Sequence, residues 1–153
     1  KERFDGAFIA LGNFDGLHLG HKAVITAEKT EYERKLALMF TKHPQAEITA
    51  IVRGEEAMND ATMEDAEQVG LNELVKVIGN GSDILGTCLK YISEEARTVI
   101  EEADVVLSKG QGNFETLQGY DKNIYYIFLC KCEMIAEMFG VPKFSPMLVK
   151  ENS

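Results

Sequence analysis

The sequence predicts an α/β protein: a three-layer α/β/α arrangement around a mostly parallel, Rossmann-like, doubly wound sheet. Three observations carry this expectation. Short apolar β-like runs alternate with helical runs along the whole chain, the pattern of strands joined by helical crossovers. Runs such as Ile124 to Leu129 are apolar throughout, as strands inside a covered sheet are. Polar, glycine-rich clusters follow the apolar runs, where an open parallel sheet binds its ligands. With 153 residues, 45% of them apolar, the chain is long enough for one domain with a real core.

The elements follow in order. Phe8 to Leu11 is a short apolar strand ended by Gly12. His18 to about Arg34 reads as a helix, with Leu19, Ala23, Ala27 and Tyr32 roughly along one face. Leu36 to Phe40 is either a strand closed by His43-Pro44 or the tail of that helix. Ile48 to Val52 is a strand rich in β-branched residues. Thr62 to Val69 is a helix, with Asp60 or Thr62 as cap and Glu64 and Asp65 at its positive end. Leu74 to Ile78 is a strand stopped by Gly79-Asn80-Gly81. Leu85 to Tyr91 and Ser93 to Glu102 read as helices, the second capped by Ser93. Asp104 to Leu107 is a strand running into Ser108-Lys109-Gly110. After the strand Ile124 to Leu129, Lys131 to Phe139 is a helix ended by Gly140 and Pro142. Met147 to Val149 is a last short strand.

Charge and composition exclude several classes. A net charge of −9 argues against nucleic acid as a partner, since binding a phosphate backbone needs basic patches. No apolar run approaches the roughly 20 residues of a membrane span. No basic-then-apolar leader pattern and no initial Met open the chain, which reads either as a fragment or as an engineered piece. Three cysteines, Cys88, Cys130 and Cys132, fit reduced thiols in a cytoplasm better than a disulfide framework. Cys130 and Cys132 lack the further ligands of a zinc site and are expected to be apolar core thiols.

Three stretches carry chemistry. In Leu11 to Ile25, Asn13 and Asp15 offer oxygen ligands, and His18 and His21 offer two imidazoles three residues apart. The same residues serve equally as turn formers and solvent-facing histidines. Asn59-Asp60 precedes a helix and either caps it or gives Asp60 as an oxygen ligand to a hard divalent cation. In Ser108 to Asn113, Lys109 supplies a positive charge, and Gly110 and Gly112 allow backbone N–H groups to form an anion nest. The alternative is a plain glycine-rich loop with a solvated lysine. These three stretches and Asn80-Gly81-Ser82 follow predicted strands, so four loops are expected to meet at one edge of the sheet.

Two stretches resemble known families. "LGNFDGLHLGHKAVI" and "LALMFTKHP" are similar to the adenylyltransferase module of bacterial riboflavin kinase/FAD synthetase. That resemblance implies nucleotide binding, with ATP, at Asn13, Asp15, His18 and His21. "VRGEEAMNDATMEDAEQVGL", "VIGNGSDILGT", "ADVVLSKGQGNFETL" and "YYIFLCKCEMIAEMFGVPK" resemble the metal-dependent damage-control phosphatases. That resemblance implies a divalent metal (Mn, Co, Ni or Mg) held by Asp60 with Asn13 and Asp15. It also implies phosphate held at Asn59, Lys109, Gly110 and Asn113, and catalysis by Asp60 and Lys109. Where that family carries an Asp-Asn pair after the first strand, this chain has Gly12-Asn13. Loss of the leading Asp implies weakened metal binding and low turnover.

The expectation is therefore a single α/β domain over 1–153, with an internal seam near 41–47. A nucleotidyltransferase-like first unit (1–44) precedes a phosphatase-like remainder (45–153). Its function is expected to be that of a metal-dependent phosphatase-like domain, acting on or binding a small phosphorylated metabolite and possessing an incomplete metal site. The alternatives are an engineered or recombined chimeric scaffold without catalysis, and a nucleotide-binding module.

Overall fold

A computed structural model of the chain describes residues 8–12, 47–56, 60–68 and 70–150. The expected helix at His18 to Arg34, the ambiguous run Leu36 to Phe40 and the seam residues 41–46 lie outside the described residues. The described elements are β1 (Phe8–Gly12), β2 (Ile48–Val52), α1 (Met63–Gln68), β3 (Lys76–Gly79), α2 (Glu94–Glu102), β4 (Val105–Lys109), α3 (Gln111–Leu117), β5 (Ile124–Leu129), α4 (Glu133–Phe139) and β6 (Pro146–Lys150). A 3-10 turn, Leu71–Glu73, stands between α1 and β3.

The strands form one six-stranded sheet in the order β3-β2-β1-β4-β5-β6. The first five are parallel, and β6 runs antiparallel against β5. An α/β protein with a mostly parallel sheet is thus what the sequence folds into. The carboxyl ends of β1 to β5 share one edge. The chain builds outward from β1 through β2 to β3, then returns to the other side of β1 as β4. That reversal puts Gly12, the end of β1, in register with Lys109, the end of β4. Ligands of open α/β sheets bind outside the carboxyl ends at such a reversal.

Local signals set the helix ends. The Ser93 hydroxyl accepts the Ala96 N–H at 3.1 Å, and Glu94 and Glu95 fill the first turn of α2. At α1, Thr62 donates its N–H to Asp65 Oδ2 at 2.8 Å and its hydroxyl to the same oxygen at 3.0 Å, a reciprocal start of the capping-box kind. At α4, Gly140 adopts φ 63° and its N–H reaches back to the carbonyls of Ala136 and Glu137, the left-handed stop that glycine allows.

The strands pack apolar residues on both faces of the sheet. Ile51 and Ile78 join a large cluster with Ile100, Val106, Phe114, Leu117, Ile124, Tyr126, Phe128 and Ile135. Ala50 and Val52 join a second cluster with Ala66 and Leu71. Successive strand residues point to opposite faces, so the two clusters lie on opposite faces of β2. In the large cluster the Phe114 ring stacks on Phe128 at 4.9 Å and meets Tyr126 edge-on at 5.2 Å. These contacts fix α3 over β5, in geometries aromatic pairs favour.

Two expected elements differ. Leu85 to Tyr91 is a run of turns, not a helix. Gly86 at φ +78° breaks the helical path, and the backbone of Thr87 donates sideways to Thr116 at 2.8 Å. Gln111 to Leu117, where the sequence predicted no element beyond the Ser108 to Asn113 loop, is helix α3. Its apolar residues, Phe114 and Leu117, stand at helical spacing but are too few to make a pattern, and it is packing against β5 that holds the helix.

Candidate functional site

Among the described residues, every buried polar side chain except Thr49 lies at the carboxyl edge of the sheet or in the loops above it. Buried polar groups need partners, and most of these find them in one another or in the backbone of neighbouring loops.

Arg53 is the first residue beyond β2 and is 4% exposed. Its N–H donates to the Ala61 carbonyl at 2.8 Å, and Arg53 bridges to Thr62 in parallel. This pairing brings Asp60 back against the end of β2. The Arg53 guanidinium then donates to Asp60 Oδ2 twice, from Nε at 3.0 Å and from Nη2 at 2.5 Å. Both side chains are 3% exposed. Both contacts fall on Oδ2, so Oδ1 stands outside the pair. From the other side of the guanidinium, Nη1 donates to the carbonyls of Ile84 and Gly86.

The loop after β3 is held as firmly. The Asn80 N–H donates to the Val52 carbonyl at 2.8 Å. Asn80 Oδ1 accepts the N–H of Gly54 at 2.8 Å and of Ser82 at 3.0 Å. Gly54 lies so near that a Cβ there would meet Gly81 N at 2.2 Å. Further along, a Cβ on Gly86 would meet the Gly112 carbonyl oxygen at 2.4 Å. The Thr87 hydroxyl donates to Asn113 Oδ1 at 2.8 Å, and Asn113 Nδ2 donates to the Lys109 carbonyl at 2.8 Å. A hydrogen-bonded path therefore runs from Asp60 through Arg53, the 84–87 loop and Asn113 to Lys109.

The structure thus links three residues singled out in the sequence: Asp60, Lys109 and Asn113. Asp60 is buried, Lys109 ends β4 with its side chain exposed, and Asn113 is 2% exposed. Two details correct the expected anion nest. The Gly110 N–H donates to the Ile127 carbonyl at 2.8 Å, so it serves the strand pairing and cannot face an anion. The Asn113 amide is engaged by Thr87 and by the Lys109 carbonyl, so it shapes the turn after β4. Asn13, Asp15, His18, His21 and Asn59 lie outside the described residues. Among the described residues no three His, Cys, Asp or Glu side chains cluster closely enough to hold a metal. The cysteines are free, and Cys130 is fully buried in the apolar core.

Arg53, Thr87 and Ser108 were not legible as site residues. The signal for Arg53 was a single charged residue ending the apolar run "ITAIV". Ser108 is fully buried beside Lys109, and its hydroxyl has no hydrogen-bond partner.

The family profile of the damage-control phosphatase ARMT1-like domain matches residues 35–146. The chain belongs to that family. A damage-control phosphatase from Pyrococcus horikoshii is 45% identical over 87 residues, 56% of this chain and 30% of that protein. A damage-control phosphatase from Archaeoglobus fulgidus is 35% identical over 96 residues, 61% of this chain and 33% of its own length. An uncharacterized protein from Methanocaldococcus jannaschii is 44% identical over 123 residues, 78% of this chain and 40% of that protein. The crystal structure of a DUF89-family protein from Pyrococcus horikoshii superposes with a TM-score of 0.75 at 28% identity, covering 95% of this chain and 47% of that one. The ARMT1-like chain here spans well under half the length of these curated relatives.

These similarities lend the two-part reading no support. The phosphatase-family match begins at residue 35 and runs across the seam expected at 41–47. The structural match covers nearly the whole chain. The adenylyltransferase module, the nucleotide-binding reading and the chimera find no support, and neither does loss of activity.

Proposed function

We propose that this chain is the phosphate-binding α/β part of a metal-dependent damage-control phosphatase, acting on a small phosphorylated metabolite. The observation that carries the reading is the hydrogen-bonded path joining Asp60 to Lys109 at the edge where the sheet reverses. In this reading the domain is a doubly wound, three-layer α/β/α unit, and its site opens at the β1–β4 reversal.

Asp60 suits a hard divalent cation: it is a carboxylate with one oxygen outside its ion pair. Asn13 and Asp15 would complete the ligand set. The buried Ser108 hydroxyl, next to Lys109, lies at the same edge. The cation, Mn, Co, Ni or Mg, would polarise the phosphate ester when bound. Lys109 would neutralise the phosphoryl oxygens. Asn113 would hold the backbone from which Lys109 projects, and Asn59 would stand beside Asp60. The acidic surface, at net charge −9, leaves Lys109 and the cation as the local attraction for an anion. Three free cysteines fit a reducing, cytoplasmic setting.

The test is hydrolysis of a panel of sugar phosphates with Mn2+, Co2+, Ni2+ or Mg2+. Metal-dependent release of orthophosphate that Asp60→Asn and Lys109→Met each abolish supports the proposal. Release that is indifferent to both substitutions refutes it.

A further inference from the structure

Asp60 lies beyond the end of β2 and Lys109 ends β4, and β1 separates those strands in the sheet. Nothing in the strand ladder fixes the distance between these two side chains. Arg53 is where the connection is made. Its planar fork holds Asp60 Oδ2 with Nε and Nη2, and its remaining nitrogen holds the carbonyls of Ile84 and Gly86.

We propose that Arg53 is a positioning residue: it selects which Asp60 oxygen is offered to a divalent cation and sets where that cation stands relative to Lys109. The proposal rests on the reading of Asp60 as a metal ligand. Three features give it force. Both contacts from the guanidinium fall on one carboxylate oxygen, so the carboxylate cannot rotate without breaking two charge-assisted hydrogen bonds. The loop it grips cannot slide, because Gly86 is wedged against the Gly112 carbonyl and Thr116. That loop passes the constraint onward, since Thr87 donates to Asn113 and Asn113 to the Lys109 carbonyl. Groups that orient a metal ligand without touching the metal tune affinity in this way. Lysine, with a single nitrogen on a flexible stem, cannot hold an oxygen twice and two carbonyls at once.

The experiment is calorimetric titration of Mn2+ into the chain and its variants Arg53→Lys, Arg53→Met and Asp60→Asn, with the Mn2+ electron paramagnetic resonance spectrum recorded for each. Circular dichroism identifies the variants that keep the fold. Arg53→Lys is expected to fold and to weaken Mn2+ binding by about 10- to 100-fold. Its spectrum is expected to change, because a released carboxylate can turn both oxygens to the ion. If Arg53→Met does not fold, Arg53→Lys decides alone. Wild-type affinity and spectrum in folded Arg53→Lys, with Mn2+ binding lost in Asp60→Asn, overturn the positioning role and leave Asp60 as a ligand. Wild-type Mn2+ binding in Asp60→Asn overturns the ligand reading itself, and the positioning role with it.

Discussion

Arg53 and Asp60 form a buried ion pair in which two guanidinium nitrogens share one carboxylate oxygen, with each side chain 3% exposed. Removing either partner strands a charge where water cannot reach it. Asp60→Ala is expected to cost about 3–5 kcal/mol of stability. The double variant Arg53→Met/Asp60→Leu should recover much of that loss, because well-packed apolar groups replace a buried pair at little cost. Urea denaturation of the single and double variants measures both effects.

Gly54 sits where the turns after β2 and β3 touch backbone to backbone. Its added Cβ would meet Gly81 N at 2.2 Å and Gly81 Cα at 2.4 Å. Main-chain atoms cannot give way as a flexible side chain does, so Gly54→Ala is expected to cost roughly 2–3 kcal/mol or more. Gly119→Ala is the control: its φ is +84° but nothing lies within 4 Å of the new methyl. Only backbone strain of about 1–2 kcal/mol applies there. Thermal unfolding should rank the two substitutions in that order.

Thr87 and Asn113 close the path to Lys109. Thr87→Val keeps the shape and removes the hydroxyl, which leaves Asn113 Oδ1 buried without its donor. The expected loss is about 1–3 kcal/mol, and Thr87→Ser should restore most of it. Amide hydrogen exchange should show faster opening of residues 109–113 in Thr87→Val than in Thr87→Ser.

Ser108 gives a prediction of the opposite sign. Its fully buried hydroxyl has no partner, so Ser108→Ala removes an unpaired polar group at the expense of a small void. The ligand-free chain should gain stability, by about 1 kcal/mol. A lower melting temperature for Ser108→Ala would show that the hydroxyl is satisfied in solution.

The fold was legible because its signals are local and repeated. Ile48 to Val52 and Ile124 to Leu129 read as strands, and both are strands, although the second leaves Ile127 and Leu129 exposed. Ser93 read as a cap, and its hydroxyl accepts the Ala96 N–H. The loop at Leu85 to Tyr91 misled because Leu85, Leu89 and Ile92 carry apolar spacing. What decides that segment is contact with Arg53, 31 residues earlier for the Ile84 carbonyl, and with Thr116, 29 residues later than Thr87. No window of neighbouring residues contains such information. The same reason hid Arg53: a charged residue after a strand reads as solvent-facing until its partners are known. Asp60 and Lys109 stood out because residue types announce chemistry, but the path between them exists only in three dimensions.

The central claim is that Asp60 and Lys109 serve one metal-and-phosphate site. Its most direct test is the coupling between Mn2+ and orthophosphate in calorimetric titrations, since each ligand must then raise the other's affinity by the same factor. The account predicts mutual enhancement in the wild-type chain that disappears in both Asp60→Asn and Lys109→Met. Independent binding of the two ligands in the wild-type chain, or enhancement that survives either substitution, would contradict it.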